Sequence, residues 1–158
     1  MRLVTCALAL MASAAPAAAW DINSSESKKA WSYAAFQSDK SGAVELQFFC
    51  DESYPEDIQM LVFTDLEADG SEEDFPSVPV TATVGDETFE DLSGYYDEVD
   101  GERTVVIDTL EEDRVRDIIG AARDASQPLQ VSYDGRSHRF GIDNIAEVLD
   151  QFTDGCER

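Results

Sequence analysis

Two Asp-Gly pairs set between apolar runs restrict this chain more than any other feature. Asp134-Gly135 separates residues 129–133 from 136–142, and Asp100-Gly101 separates 95–99 from 103–107. A two-residue hairpin turn that matches strand twist needs positive φ at both central positions, which Asp followed by Gly accepts readily. Each pair therefore predicts a hairpin together with its register. In the C-terminal one, Tyr133 faces Arg136, Val131 faces His138 and Leu129 faces Phe140. A third pair, Asp69-Gly70, lies in an acidic stretch instead.

Much of the remaining chain keeps the period of two. Residues 31–37 mix aromatic and small side chains and read as a first strand. Residues 43–50 alternate, with Val44, Leu46 and Phe48 on one side. The continuous apolar run 58–64 reads as a buried strand. Val78, Val80, Ala82 and Val84 share a face, and Gly85-Asp86 returns the chain into 87–91. Two segments switch to helical spacing. Val115, Ile118, Ile119 and Ala122 form one stripe, with Thr109 and Glu112 at capping-box spacing before it and Pro128 beyond it. Ile145, Val148, Leu149 and Phe152 form the other, with Asn144 and Glu147 as its box and Gly155 as a left-handed cap. The expected fold is α+β: a mostly antiparallel sheet, curved or partly barrel-like, with two amphipathic helices in the C-terminal half.

The N-terminus has the order of an export signal. Arg2 precedes a short apolar run over residues 3–12, and Ala17, Ala18 and Ala19 supply small residues at a cleavage site. A membrane anchor needs about 20 apolar residues; this run is shorter, Ala-rich and broken by Pro16. The cut is expected after Ala19. Residues 20–30 then make a polar lead-in, loosest over 21–29, and 31–158 a single β-rich domain in the periplasm or outside the cell. Cys6 falls within the leader, which leaves Cys50 and Cys156. An even pair of cysteines in an exported chain reads as a disulfide. Two thiols and a lone histidine are too few for a zinc tetrahedron.

Charge narrows the partners. The chain carries 34 acidic and 11 basic residues, a net charge of −23. Loss of the leader, with its single basic residue, makes it one unit more negative. Nucleic acids and anionic lipid surfaces both select Lys and Arg, so neither nucleic-acid binding nor membrane insertion after cleavage is expected. Solubility, in a medium salty enough to screen the repulsion, is the plain reading of such acidity; a basic envelope or extracellular protein is the partner the charge would suit.

The chain's layout has a counterpart. An apolar strand meets a polar break and a short helix over Phe140-Gly141-Ile142-Asp143-Asn144-Ile145-Ala146-Glu147-Val148-Leu149, followed by Cys156; upstream stand Trp31, Gly42, Leu46 and Cys50. This resembles small exported proteobacterial domains of the invasion-associated locus B kind and type VI secretion accessory proteins of the VasI kind. The resemblance implies a periplasmic, non-enzymatic, protein-contacting role. It transfers no functional residue.

Few residues point to chemistry. Asp65, Glu67, Asp69, Gly70, Ser71 and Glu73 fall at the first, third, fifth, sixth, seventh and ninth positions of a calcium loop. Pro76 then stands where the closing bidentate Glu belongs, and a strand precedes the loop where an EF-hand has a helix. Asp65, Glu67, Asp69, Ser71 and Glu73 are therefore a weak calcium set beside the reading of a solvated acidic loop. His138 is the lone histidine, and its hairpin register favours a structural role over a Ser–His–Asp site. Nucleophile-elbow, phosphate-loop and zinc-protease motifs are absent from the sequence. Tyr95, Tyr96, Trp20 and Trp31 offer an aromatic contact surface or core. The sequence thus favours an exported binding or accessory protein with neither catalytic residues nor a cofactor. A carboxylate hydrolase, with or without calcium, is the rival.

Overall fold

A computed structural model describes residues 19–27, 30–67 and 76–157, with backbone only at 54–56. Nine strands form one open sheet: β1 (Asp21–Glu26), β2 (Trp31–Ser38), β3 (Glu45–Asp51), β4 (Tyr54–Glu67), β5 (Ser77–Val84), β6 (Glu87–Val99), β7 (Glu102–Ile107), β8 (Leu129–Tyr133) and β9 (Arg136–Phe140). Their spatial order is β1-β2-β3-β4-β7-β6-β5-β8-β9, and every neighbouring pair is antiparallel. The β5–β6–β7 meander folds back so that β7 joins β4, leaving β5 to receive β8. Helix α1 (Glu112–Arg123) links β7 to β8, and α2 (Ile145–Cys156) follows β9. The α+β architecture follows the sequence pattern.

Both Asp-Gly turns place their central residues at positive φ: 53° and 84° at Asp100-Gly101, 46° and 70° at Asp134-Gly135. The C-terminal hairpin pairs Tyr133 with Arg136, Val131 with His138 and Leu129 with Phe140.

The β8–β9 hairpin lies across the ends of other strands. Reading from its tip, Asp134 accepts a hydrogen bond from the Tyr96 hydroxyl of β6 at 2.7 Å. Arg136 pairs with Asp65 of β4 at 2.9 Å. His138 meets Asp39, in the β2–β3 turn, at 3.2 Å. Just past β9, Gly141 accepts from the Trp20 indole at 2.7 Å. Four successive contacts on one hairpin thus gather β6, β4, the β2–β3 turn and the start of β1, and the open sheet is rolled.

The inner face of the roll holds Leu46, Phe48, Met60, Val62, Val80 and Val105 against Ile118 of α1 and Leu149 and Phe152 of α2, all nearly inaccessible to water. Cys50 and Cys156 sit at disulfide distance with Cα atoms 6.0 Å apart, joining the end of α2 to β3.

Five local expectations are corrected. Asp21–Glu26, expected to be loose, is a strand paired along its length with β2. Residues 87–91 and 95–99 belong to one strand, β6. It carries a bulge where Asp91 takes φ 55° and the partner register shifts between Val80 and Ala82. Thr109 does not cap α1; Asp108 accepts from Leu110 N and starts a 3-10 turn, Thr109–Glu111, that leads into the helix. Asn144 takes φ 54° and makes no side-chain cap; its amide donates to Trp20 O at 2.9 Å. Gly155 is no terminal cap either. It lies inside α2, where a methyl group would come within 2.6 Å of the Tyr33 ring, so it is selected by close approach.

Candidate functional site: the outer face of the sheet

Alternation gives each strand of the roll two faces, and the helices take only one. Leu61 and Val106 belong to the other. Each is 6% exposed, yet neither joins the core cluster that includes both helices. Backbone pairing places them in a row that crosses most of the sheet: Phe36, Gln47, Leu61, Val106, Tyr95 and Ser77. The next row contains Glu45, Phe63, Thr104 and Asp97. Phe36, Phe49, Phe63 and Tyr95 are half-buried on this face. Leu110, in the turn before α1, is 92% exposed and is the only large apolar side chain so exposed among the described residues.

Three depressions open along this face. One of about 410 Å3 holds Phe63 with Glu45, Asp100 and Glu102. A second, of about 500 Å3, holds Tyr95 with Asp97 and Asp108. A third, of about 290 Å3, holds Trp31 and Phe49 with Asp51 and Glu52. Each sets an aromatic ring beside at least two carboxylates, and no Lys, Arg or His lines any of them. Burial, then the nearby Glu102 charge, raises Glu45 above the usual Glu value. Burial, then Asp97 and Asp108, raises Tyr95.

The residues that sequence reading singled out lie elsewhere. Asp65 is taken by Arg136 at the hairpin, and Glu67 ends β4. Asp69, Ser71 and Glu73 lie outside the described residues. Among the described residues no group of three or more His, Cys, Asp or Glu side chains is placed to hold a metal ion. His138 stacks on Tyr133 with ring centroids 5.6 Å apart. Its Nδ1 donates to Asp39, and Tyr133 Oη stands 3.4 Å from Nε2. The His–Asp half of a catalytic triad is thus present, but a phenol occupies the nucleophile's place. Burial is the main cause that pushes the Tyr133 hydroxyl up to about 12, so it stays protonated at neutral pH.

The aromatic quartet divides. Tyr95 faces outward and Trp31 is half-buried, while Tyr96 and Trp20 are core residues, 5% and 2% exposed. Sequence reading missed Phe36, Leu61, Phe63, Val106 and Leu110. The available signal was the run 58–64, whose apolar residues occupy both faces of β4. Among the described residues no helix is long and apolar enough to cross a membrane. No family model, no curated protein and no solved structure matches the chain.

Proposed function

We propose that this is an exported, non-catalytic binding protein that contacts a basic protein of the envelope or extracellular space through the outer face of its sheet. One observation carries the reading: the half-buried rings of Phe36, Phe49, Phe63 and Tyr95 on the face outside the helix-covered core, bordered by Glu45, Asp97, Glu102 and Asp108. Apolar residues supply contact area, while surrounding carboxylates steer and select a cationic partner. The export-type leader and the cysteine pair at disulfide distance support the compartment. The resemblance of the layout to envelope accessory domains supports a contacting role.

Affinity capture from a periplasmic extract at low salt, followed by carbodiimide cross-linking of Asp and Glu to partner lysines, tests the reading. The expected result is a basic protein whose retention falls steeply with salt and whose cross-links fall on β3, β4, β6 and β7. Cross-links confined to another face, or retention indifferent to salt, would overturn it. Hydrolysis of a glycan by the purified protein, abolished by changing Glu45 and Glu102, would put a carboxylate hydrolase in its place.

A further inference from the structure

Strand β1 is an edge of the sheet, paired with β2 along one side only. Its sequence, Asp21-Ile22-Asn23-Ser24-Ser25-Glu26, holds an Asn followed two residues on by a hydroxyl, with Ser24 rather than a Pro between them. Asn-x-Ser is the acceptor pattern for an N-linked glycan in an exported chain. Strand geometry places Asp21, Asn23 and Ser25 on one face, while Ile22 turns the other way and packs against the core. All three are exposed. Among the described residues the side chains of Asn23 and Ser25 make no hydrogen bond.

The chain has two asparagines, and they differ in kind. Asn144 is followed by Ile145 and Ala146, and its amide is committed to Trp20 O at 2.9 Å. Asn23 alone offers a free amide with a hydroxyl at the required spacing. An amide nitrogen is a poor nucleophile because its lone pair is shared with the carbonyl, so glycan transfer needs an enzyme that reads the acceptor segment. An exposed edge strand suits such reading, because a groove that takes an extended segment contacts its alternate side chains. Asp21 and Ser25 flank Asn23 at that alternate spacing.

We infer that Asn23 is a glycosylation site, which receives an oligosaccharide from a lipid-pyrophosphate carrier through a membrane-bound transferase facing the compartment of export. The amide nitrogen attacks the anomeric carbon of the sugar. The new C–N bond forms as the C–O bond to pyrophosphate breaks; the lipid pyrophosphate leaves with the bonding pair, and one amide proton passes to a base of the transferase. Export is a condition of this step; binding at the outer face is not. The sugar stands in the middle of an edge strand whose far side has no neighbouring strand, and its bulk keeps another chain from pairing there.

Trypsin digestion of the protein purified from the cells that export it, followed by tandem mass spectrometry, tests the site. The peptide that bears Asn23 spans residues 20–28 once the leader is removed and 3–28 if it is retained. The expected result is a 20–28 peptide with one glycan on Asn23, and an intact mass above that of the polypeptide by the same increment. Asn23→Gln and Ser25→Ala should each lose the sugar, while Ser25→Thr keeps it. All three changes lie on an exposed edge, and far-UV circular dichroism of the variants checks folding. A bare 20–28 peptide overturns the glycan and leaves export standing. A sugar that survives Asn23→Gln is carried by a serine and overturns the acceptor. A bare peptide that retains residues 3–19 overturns export and the site together.

Discussion

Gly155 faces the ring of Tyr33 at a separation that leaves no room for a methyl group, with 2.6 Å from a Cβ to Cδ1. Tyr33 is paired across the sheet with Cys50, whose sulfur meets Cys156, the next residue in the helix. One small residue therefore lets α2 approach close enough for the two sulfurs to meet.

Gly155→Ala should accordingly destabilise the protein. In an exposed helix the change would gain about 1 kcal/mol; here a buried clash costs roughly 1–3 kcal/mol and should prevail. Chemical denaturation of Gly155→Ala beside Gly155→Ala/Tyr33→Leu measures it, with the second change expected to restore most of the loss.

Joining Cys50 to Cys156 closes a loop across a sequence separation of 106. The chain-entropy model gives about 4–5 kcal/mol for such a loop, before any strain. Urea midpoints with and without reductant should differ accordingly. Thiol counting after unfolding without reductant should find neither cysteine free.

Asp39 lies below the usual Asp value. Burial alone would raise it, but the Ser41 hydroxyl, the His138 ring and backbone amides outweigh burial and hold it down. A carboxyl depressed by folding adds stability above its unfolded value of 3.8, and that stability is lost as pH falls through the lower folded value. Asp39→Asn should therefore cost stability at pH 7 and lose less than wild type on acidification toward pH 2 to 3. Melting curves across that range decide it.

Glu45 has the opposite sign. Its raised value means that the folded state holds the proton more tightly, so the ionised form costs stability that is recovered as pH falls through the folded value. Glu45→Gln should stabilise the free protein at pH 7 by roughly 0.5 kcal/mol or less, screened at high salt. The same change should weaken binding of a basic partner at this face, so stability and binding move in opposite directions.

Trp20 donates its indole proton to Gly141, stacks 6.0 Å from Phe48 and is held through its carbonyl by Asn144. Trp20→Ala should cost about 3–5 kcal/mol, as large-to-small core changes do. Removal of residues 1–19 should leave the melting temperature unchanged, and removal of 1–20 should lower it sharply.

The hairpin registers were legible because Asp-Gly turns leave the backbone little choice. Both helical stripes were legible because burial imposes their spacing. The caps were not. Thr109 and Asn144 have suitable side chains, but Asp108 stands one residue earlier for the first, and Trp20, distant in sequence, claims the second. Strand β1 escaped notice because its polar DINSSE sequence is exposed along an edge and shows no apolar alternation. The outer face was half legible. Alternation tells which residues share a side of β4, but only the tertiary arrangement shows which side the helices cover.

The hairpin that rolls the sheet depends on partners far from it in sequence. Its anchors, Tyr96, Asp65, Asp39 and Trp20, all precede it, and Cys50 waits longer still for Cys156. A chain made from its N-terminus can pair β1 to β4 and β5 to β7 locally but can complete the roll only when residues 134–156 arrive. Closure between such distant segments is slow relative to local pairing. The protein should therefore persist as a set of unlocked hairpins until that point and become resistant to proteases in a single late step.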